Sequence, residues 1–346
     1  VKHVLKNNNV SFTNNISPYV CTHCQMGKSH KQPFPNSETM YHRPLDLVAA
    51  DLWGPAPITA DYGYKYYISF IDAYSKHVWI YFLKSKAETA SIVKQFITLS
   101  EKQTGNQLKV FQTDGGTEFM PLKDFFKEKG IFHRITCPHT SEQNGIIERR
   151  HRQIVETGLT ILAQAHMSQK FWSEAFATSV YLINRLPTKI LNLRCPLEVL
   201  FNIKPDYKFL KTFGCLCFPC LRPYNTHKLN FRSAPCTFIG YAPNQRGYKC
   251  LNEHGKIIIS RHVVFNEKVF PFKEKTIRTT NKVYNSKDCI PAIPIIAEQT
   301  APIRNQNNSK SLESSPDSQH LLSKTGPEVS LSLIHISEPT RLRCIA

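Results

Sequence analysis

The stretch Phe111–Arg150 decides the fold; it begins FQTDGGTEFM (111–120) and ends HTSEQNGIIERR (139–150). An apolar run ends at Asp114 before a glycine turn, and a basic helix that carries Glu148 is predicted to begin after Asn144 and Gly145. A strand that ends in an aspartate places that carboxylate at the edge of its sheet, where a returning helix can bring Glu148 beside it. Two acids that converge on rigid elements form a candidate site for a divalent metal.

A third acid, Asp51, closes another apolar run, in LVAADLWGPAP (47–57), before the stop signal Gly54-Pro55. Taken singly, an aspartate before Gly-Gly is typical of a turn, and a helical glutamate is typical of a solvated face. The repeated pattern of an acid at the end of a β-like run favours a site over these alternatives. The helix beside the third acid is also basic, with Arg149, Arg150 and Arg152. Asp72 ends a strand as well, and we interpret it as a turn former.

With these residues the chain resembles the integrase segment of a copia-type LTR-retrotransposon Pol polyprotein. The matching pieces cover about residues 20–270 in family order: VCTHCQMGKSH, LDLVAADLWGP, YYISFIDAYSKHVWIYFLK, TDGGTEF, QNGIIERRHR, FGCLCF and FIGYAPNQRGYKC. The resemblance implies that Asp51, Asp114 and Glu148 form the catalytic, metal-binding triad. The spacing of the last two acids is two residues shorter than the usual family pattern. Because the shortfall falls in a connection near Met120-Pro121, we expect the site geometry to be kept.

The implied activity is that of a polynucleotidyl transferase. Three carboxylates would hold two Mg²⁺ or Mn²⁺ ions about 3.5–4 Å apart, one beside the attacking oxygen and one beside the leaving 3′-oxygen. Hard cations prefer such oxygen ligands. Water as nucleophile gives 3′-end processing, and a 3′-hydroxyl of the element's DNA gives strand transfer into target DNA. The resemblance also implies a homo-multimer acting on two DNA ends, and it implies DNA contacts from the basic helix and its start: Gln143, Asn144, Arg149, Arg150 and Arg152.

The composition agrees with a nucleic-acid partner. The chain has 44 Lys and Arg against 26 Asp and Glu, a formal net charge of +18. A surface this basic is typical of proteins that bind the phosphates of double-stranded DNA, with a membrane surface as the weaker alternative. The sequence has neither an apolar stretch of about 18 residues nor a signal peptide, so we expect a soluble intracellular protein. The resemblance implies the nucleus during integration and a cytoplasmic particle before it.

Local patterns and the resemblance together divide the chain into four predicted regions. The resemblance implies that residues 1–35 form a partial zinc-binding (HHCC-type) region. In residues 40–205 the strand and helix patterns predict a mixed five-stranded sheet flanked by helices, which the resemblance identifies as the catalytic core with a ribonuclease H-like fold. Residues 210–272 predict a small β-barrel-like domain from several short strands between turn residues. Residues 273–346 predict a disordered tail. The last stretch, LSLIHISEPTRLRCIA, resembles translated sequencing-adapter read-through, and we interpret it as non-native.

Helical periodicity predicts two long helices in the core. The helix from about Gln143 should bury Ile147, Ile154, Leu159 and Leu162. The second, Lys170–Arg185, carries four aromatic residues that we interpret as core rather than as a base-stacking platform.

Cysteine usage indicates a reducing compartment and one incomplete zinc site. Eleven cysteines without a disulfide spacing are typical of buried small hydrophobes and metal ligands. Cys21 and Cys24 form a CxxC, which supplies two of the four ligands of a closed site. In the resembling family a histidine pair precedes the CxxC by about 30 residues, so we expect this chain to be truncated at its N-terminus. His3 and His30 are alternative partners, and we predict a partial Zn²⁺ site.

In the small domain, Cys215 and Cys217 lie on one face of a predicted strand, which favours packing over metal binding for them and for Cys220. The loop residues Arg222, His227, Lys228 and Arg232 are candidate phosphate contacts.

Two other functions fit the same residues. The chain could be a metal-dependent nuclease on the same fold, or a catalytically inactive, truncated DNA-binding remnant of a retroelement. A strand-transfer assay distinguishes the three.

Overall fold

The computed structural model describes residues 7–8, 22–28, 39–137, 140–222 and 227–275, without the side chains of Cys24, Ser141, Glu142, Glu274 and Lys275. A short helix, α1, spans Thr22–Lys28. Of the zinc-site residues, His3, Cys21 and His30 lie outside the described part, as does the side chain of Cys24. The partial zinc site therefore stays a prediction.

Five strands form the first sheet: β1 (Leu47–Trp53), β2 (Tyr66–Asp72), β3 (Val78–Leu83), β4 (Val110–Thr113) and β5 (Phe132–Ile135). Their order is β3-β2-β1-β4-β5. β1 pairs antiparallel with β2, and β2 with β3, whereas β1–β4 and β4–β5 are parallel. The predicted mixed five-stranded sheet is confirmed.

Helices cover both faces of this sheet: α2 (Thr89–Thr104), α3 (Lys123–Lys129), α4 (Gly145–Gln164), α5 (Trp172–Ile183) and α6 (Pro196–Phe201). Successive side chains of a strand point to opposite faces. Leu47 and Ala49 of β1 therefore pack with α4 and α5, while Val48 and Ala50 pack with α2 and α3. By the same alternation, Asp51 points to the α4 face.

The buried stripe of α4 differs from the predicted one at one position. Its buried residues are Ile147, His151, Ile154, Gly158 and Leu162. Leu159, predicted to be buried, is 43% exposed. The prediction was wrong because the stripe passes through Gly158, which packs so closely on Phe176 that a Cβ there would lie 2.3 Å from the ring.

The second sheet is antiparallel and contains β6 (Leu216–Pro219), β7 (Cys236–Tyr241), β8 (Tyr248–Leu251), β9 (Ile257–Ser260) and β10 (Val263–Asn266). Its order is β10-β6-β7-β8-β9. A short helix, α7 (Pro271–Lys275), follows. The tail predicted from residue 273 thus begins inside α7, and its residues from 276 onward lie outside the described part.

Cysteines form much of the core of the small domain. Cys215, Cys217, Cys236 and Cys250 are buried and pack with aromatic residues such as Phe238. Burial raises the pKa of the Cys215 and Cys236 thiols to about 12, so both are neutral at physiological pH. This confirms the interpretation of Cys215 and Cys217 as packing residues. Cys220 is half-buried at the edge of the domain.

The small domain packs directly on α5 of the core. Gly240 of β7 lies against Thr178, where a Cβ would come within 2.6 Å of Oγ1. Lys249 Nζ lies 2.9 Å from Glu174 Oε2, in an ion pair that is largely buried. The two sheets are therefore held together by close packing and by a charge pair. Within the described residues, the helices are too short or too polar to cross a membrane.

Candidate active site

The parallel pairing of β1 and β4 brings the two aspartates together. Leu47 pairs with Val110, and Ala49 pairs with Gln112. Two residues further along the same register, Asp51 lies beside Asp114, just beyond the end of β4. Alternation places both on the α4 face of the sheet. The two acids that close β-like runs in the sequence are therefore neighbours in the fold.

A glycine turn positions Asp114. Gly115 has φ +81°, and a Cβ there would lie 2.7 Å from Ile135 Cγ2, so only glycine fits without strain. The Gly116 N–H donates to Asp114 Oδ1 at 3.0 Å. Asp114 is exposed, whereas Asp51 is about three-quarters buried. The pair thus combines a fixed inner carboxylate with an outer one at a strand end.

The start of α4 is attached to the end of β4. Gln112 Nε2 donates to the Gln143 backbone oxygen at 3.1 Å and to Asn144 Oδ1 at 3.2 Å. The Cys137 N–H donates to Gln143 Oε1 at 2.9 Å. These bonds fix the first turn of α4, which carries the exposed Glu148, over the sheet edge.

Four carboxylates converge at this edge. The pKa of Asp51 is raised to about 6, first by burial and then by the charges of Asp114, Glu148 and Glu118, against a hydrogen bond from the Leu52 backbone that lowers it. The fourth acid, Glu118, lies in the 3₁₀ turn Thr117–Leu122 that follows the glycines. Within the described ranges, no three His, Cys, Asp or Glu side chains are grouped closely enough to hold an ion as they stand.

His151, one turn after Glu148, contacts Asp51 and was missed by sequence reasoning. Its Nε2 lies 3.5 Å from Asp51 Oδ2 and 3.0 Å from Ser69 Oγ, while its Nδ1 lies 3.0 Å from Tyr67 Oη. Burial lowers the pKa of His151 to about 4, so the ring is neutral. The spacing of positions 147, 151, 154 and 158 on one helix face could have identified it, because a buried histidine needs polar partners.

The predicted DNA-contact residues differ in their exposure. Arg149 and Arg152 are exposed on α4, and Arg150 is half-buried and donates to Gln153 Oε1 at 2.6 Å. Asn144 is buried, and its side chain holds the loop to Gln112. DNA contact by this group stays a prediction. Arg149 and Arg152 are the two arginines of the group whose side chains are exposed.

Asp72 stabilises a turn. Its Oδ1 accepts the Leu45 N–H at 2.9 Å, and its Oδ2 accepts the N–H and the hydroxyl of Ser75 at 2.7 and 2.6 Å. It pairs with Val48, three residues before Asp51 on β1. The interpretation of Asp72 as a turn former is confirmed.

Two family models match the chain, one over the first sheet and one over the second. Residues 41–141 match the integrase core domain, and residues 215–279 match the retroviral polymerase SH3-like domain. The first match contains Asp51 and Asp114 and ends before Glu148.

The chain is also similar to longer proteins and to a solved structure. The chain is 42% identical over 271 residues to the retrovirus-related Pol polyprotein from transposon RE1 of Arabidopsis thaliana, covering 78% of this chain and 18% of that protein. It is 41% identical over 275 residues to the Pol polyprotein from transposon RE2 of the same plant, covering 79% and 19%. A chain of a simian T-cell lymphotropic virus intasome, solved in complex with PP2A regulatory subunit B56 gamma, is 15% identical with TM-score 0.42, over 70% of this chain and 86% of that chain.

The sheet, the acids at its edge and the matched domains define a chain with an integrase core domain, of a polynucleotidyl transferase family, followed by a retroviral SH3-like domain. It is a segment of a copia/Ty1-type retrotransposon Pol polyprotein. The chain spans less than a fifth of the length of these two Arabidopsis relatives.

Proposed function

We propose that this segment catalyses metal-dependent 3′-end processing of retrotransposon DNA and strand transfer into target DNA, with Asp51, Asp114 and Glu148 as the metal-binding catalytic triad. The observation that carries the proposal is the placement of Asp114, at the end of β4, and Glu148, on α4, near the largely buried Asp51 of β1. Burial and these neighbouring charges together raise the pKa of Asp51 to about 6. A group of like charges in a partly buried place is unfavourable without a cation.

The residues present fit a hard divalent cation. Carboxylate oxygens are the ligands that Mg²⁺ and Mn²⁺ prefer. The neighbouring imidazole of His151 is neutral and therefore does not balance the negative charge. Asp114 and Glu148 are exposed, so their carboxylates can move toward Asp51 when an ion binds. Two bound ions would activate the attacking oxygen and stabilise the leaving 3′-oxygen.

The protein's own contribution is to fix Asp51 and to present the DNA. Asp51 is held in a central strand, between β2 and β4. Arg149 and Arg152 are exposed beside Glu148 and would contact DNA phosphates, which sets the position of the backbone without reading its sequence. The net charge of +18 supports binding of double-stranded DNA. Because integration joins two DNA ends, we further propose that the chain works as a homo-multimer.

A strand-transfer assay with labelled duplex ends and Mn²⁺ tests this function. Joined products that require the divalent ion support it. Cutting without joining would assign the metal-dependent nuclease instead, and DNA binding without either reaction would assign the inactive remnant. Asp114→Asn should lose both reactions, and Asp124→Asn, which changes an exposed acid on α3, should keep them.

A further inference from the structure

The contacts of His151 extend the site beyond its acids. The side chain lies on the buried face of α4 and reaches two strands at once: Asp51 on β1, and Tyr67 and Ser69 on β2. Asp51 and Ser69 are direct partners in the antiparallel register. The imidazole therefore connects the helix that carries Glu148 to the strand that carries Asp51.

Both ring nitrogens have a partner, and the partners specify the tautomer. Tyr67 is fully buried, and burial raises the pKa of its hydroxyl far above neutral, so it keeps its proton. A neutral phenol whose oxygen lies 3.0 Å from Nδ1 donates most favourably into the Nδ1 lone pair. The proton of the neutral ring then resides on Nε2, where Ser69 Oγ accepts it at 3.0 Å and Asp51 Oδ2 lies 3.5 Å away.

We propose that His151 is a positioning residue of the metal site: Tyr67 holds it as the Nε2–H tautomer, and its Nε2–H faces Ser69 and the Asp51 carboxylate. This inference rests on the proposed function for its metal, but the tautomer itself does not. The aromatic stack between His151 and Tyr67, with ring centroids 5.2 Å apart and planes at 21°, keeps the imidazole in this orientation.

The arrangement orients Asp51 without using His151 as a metal ligand. Both nitrogens are occupied by protein groups, so the ring has no lone pair to offer an ion. A donor beside one carboxylate oxygen restricts the rotation of the carboxylate and leaves the other oxygen to face the cation. Groups that orient metal ligands in this way typically contribute 10–100-fold to metal affinity or activity.

The proposal is tested by pairing His151→Leu with His151→Gln. Leu fills the buried position without a donor, whereas the amide of Gln reaches about as far as Nε2 and can donate to Ser69 and Asp51. We expect Mn²⁺ binding, measured by electron paramagnetic resonance, to weaken at least tenfold in His151→Leu and to stay within about threefold of wild type in His151→Gln. A purely structural role would lower thermal stability without changing Mn²⁺ affinity, so equal affinity in both variants would overturn the proposal.

A metal-independent measurement covers the case in which His151→Leu does not fold or wild type binds no ion. Two-bond ¹⁵N–¹H spectra of ¹⁵N-histidine-labelled protein distinguish the two neutral tautomers. We expect Nε2–H for His151 in wild type and a shift toward the Nδ1–H form in Tyr67→Phe, which removes the hydroxyl. An Nδ1–H ring in wild type would overturn the inference. Absent Mn²⁺ binding with the expected tautomer would instead contradict the proposed function.

Discussion

Replacing Asp51 by Asn is expected to stabilise the metal-free protein at neutral pH. The folded-state pKa of Asp51 is raised from 3.8 to about 6 by burial and by the neighbouring carboxylates. Between these values the folded protein holds a proton that the unfolded chain has released, so stability falls as pH rises from about 4 to about 6. At about 1.4 kcal/mol per pKa unit, the loss reaches about 3 kcal/mol above pH 6. Because Asn does not ionise, the Asp51→Asn variant does not lose stability in this way as the pH rises.

The assay is urea unfolding in chelator at pH 4, 5, 6 and 7. Asp51→Asn should match wild type near pH 4 and exceed it by roughly 1–3 kcal/mol at pH 7, the lower figure allowing for screening by salt. Asp46 provides a control of opposite sign, because its hydrogen bond with Lys109 lowers its pKa. Asp46→Asn should therefore be less stable than wild type at pH 7, and this difference should shrink toward pH 4. An Asp51→Asn variant that is less stable than wild type at pH 7 would refute the electrostatic reasoning.

Three further outcomes follow from single contacts. Asp72→Asn should lower the free energy of unfolding by about 1–3 kcal/mol, since an amide cannot accept all three of the hydrogen bonds that Asp72 now accepts. Thermal denaturation checks this, with Asp124→Asn at an exposed position as the control. Gly115→Ala should destabilise by more than about 1 kcal/mol and reduce Mn²⁺ affinity, because φ +81° and the contact with Ile135 oppose a Cβ; unchanged stability would contradict it. Arg152→Gln should weaken DNA binding on all sequences alike and reduce the slope of log affinity against log salt by about 1; an unchanged slope in a fluorescence anisotropy titration would remove Arg152 from the interface.

The sequence predicted much of the fold because its strands are strongly patterned. The mixed five-stranded sheet was predicted, and the structure has it. Asp51 and Asp114 were recognisable because each follows an apolar run. Their side-by-side placement depends on the parallel register of β1 and β4, which no local pattern specifies.

The misses lie where tertiary contacts override residue type. Leu159 was expected inside, but Gly158 is the residue that contacts Phe176, since only a residue without a side chain allows α4 and α5 to approach there. His151 was passed over because a polar residue on an apolar stripe does not contribute to a hydrophobic pattern. Asn144 is a different case, because its DNA contact stays a prediction, but its burial against Gln112 was not predicted. Its burial could be seen only once β4 and α4 were packed together.

The most direct test of the central claim is strand transfer by Glu148→Gln compared with Glu118→Gln. Both acids raise the pKa of Asp51, so both lie near it, but only Glu148 belongs to the proposed triad. Glu148→Gln should abolish processing and joining together, and a double variant with Asp51→Asn should lose no more, because one missing ligand disables the whole site. DNA affinity should hold or rise, since a negative charge is removed beside Arg149. Near-normal joining by Glu148→Gln, with joining lost in Glu118→Gln, would contradict the account and move the third ligand to Glu118.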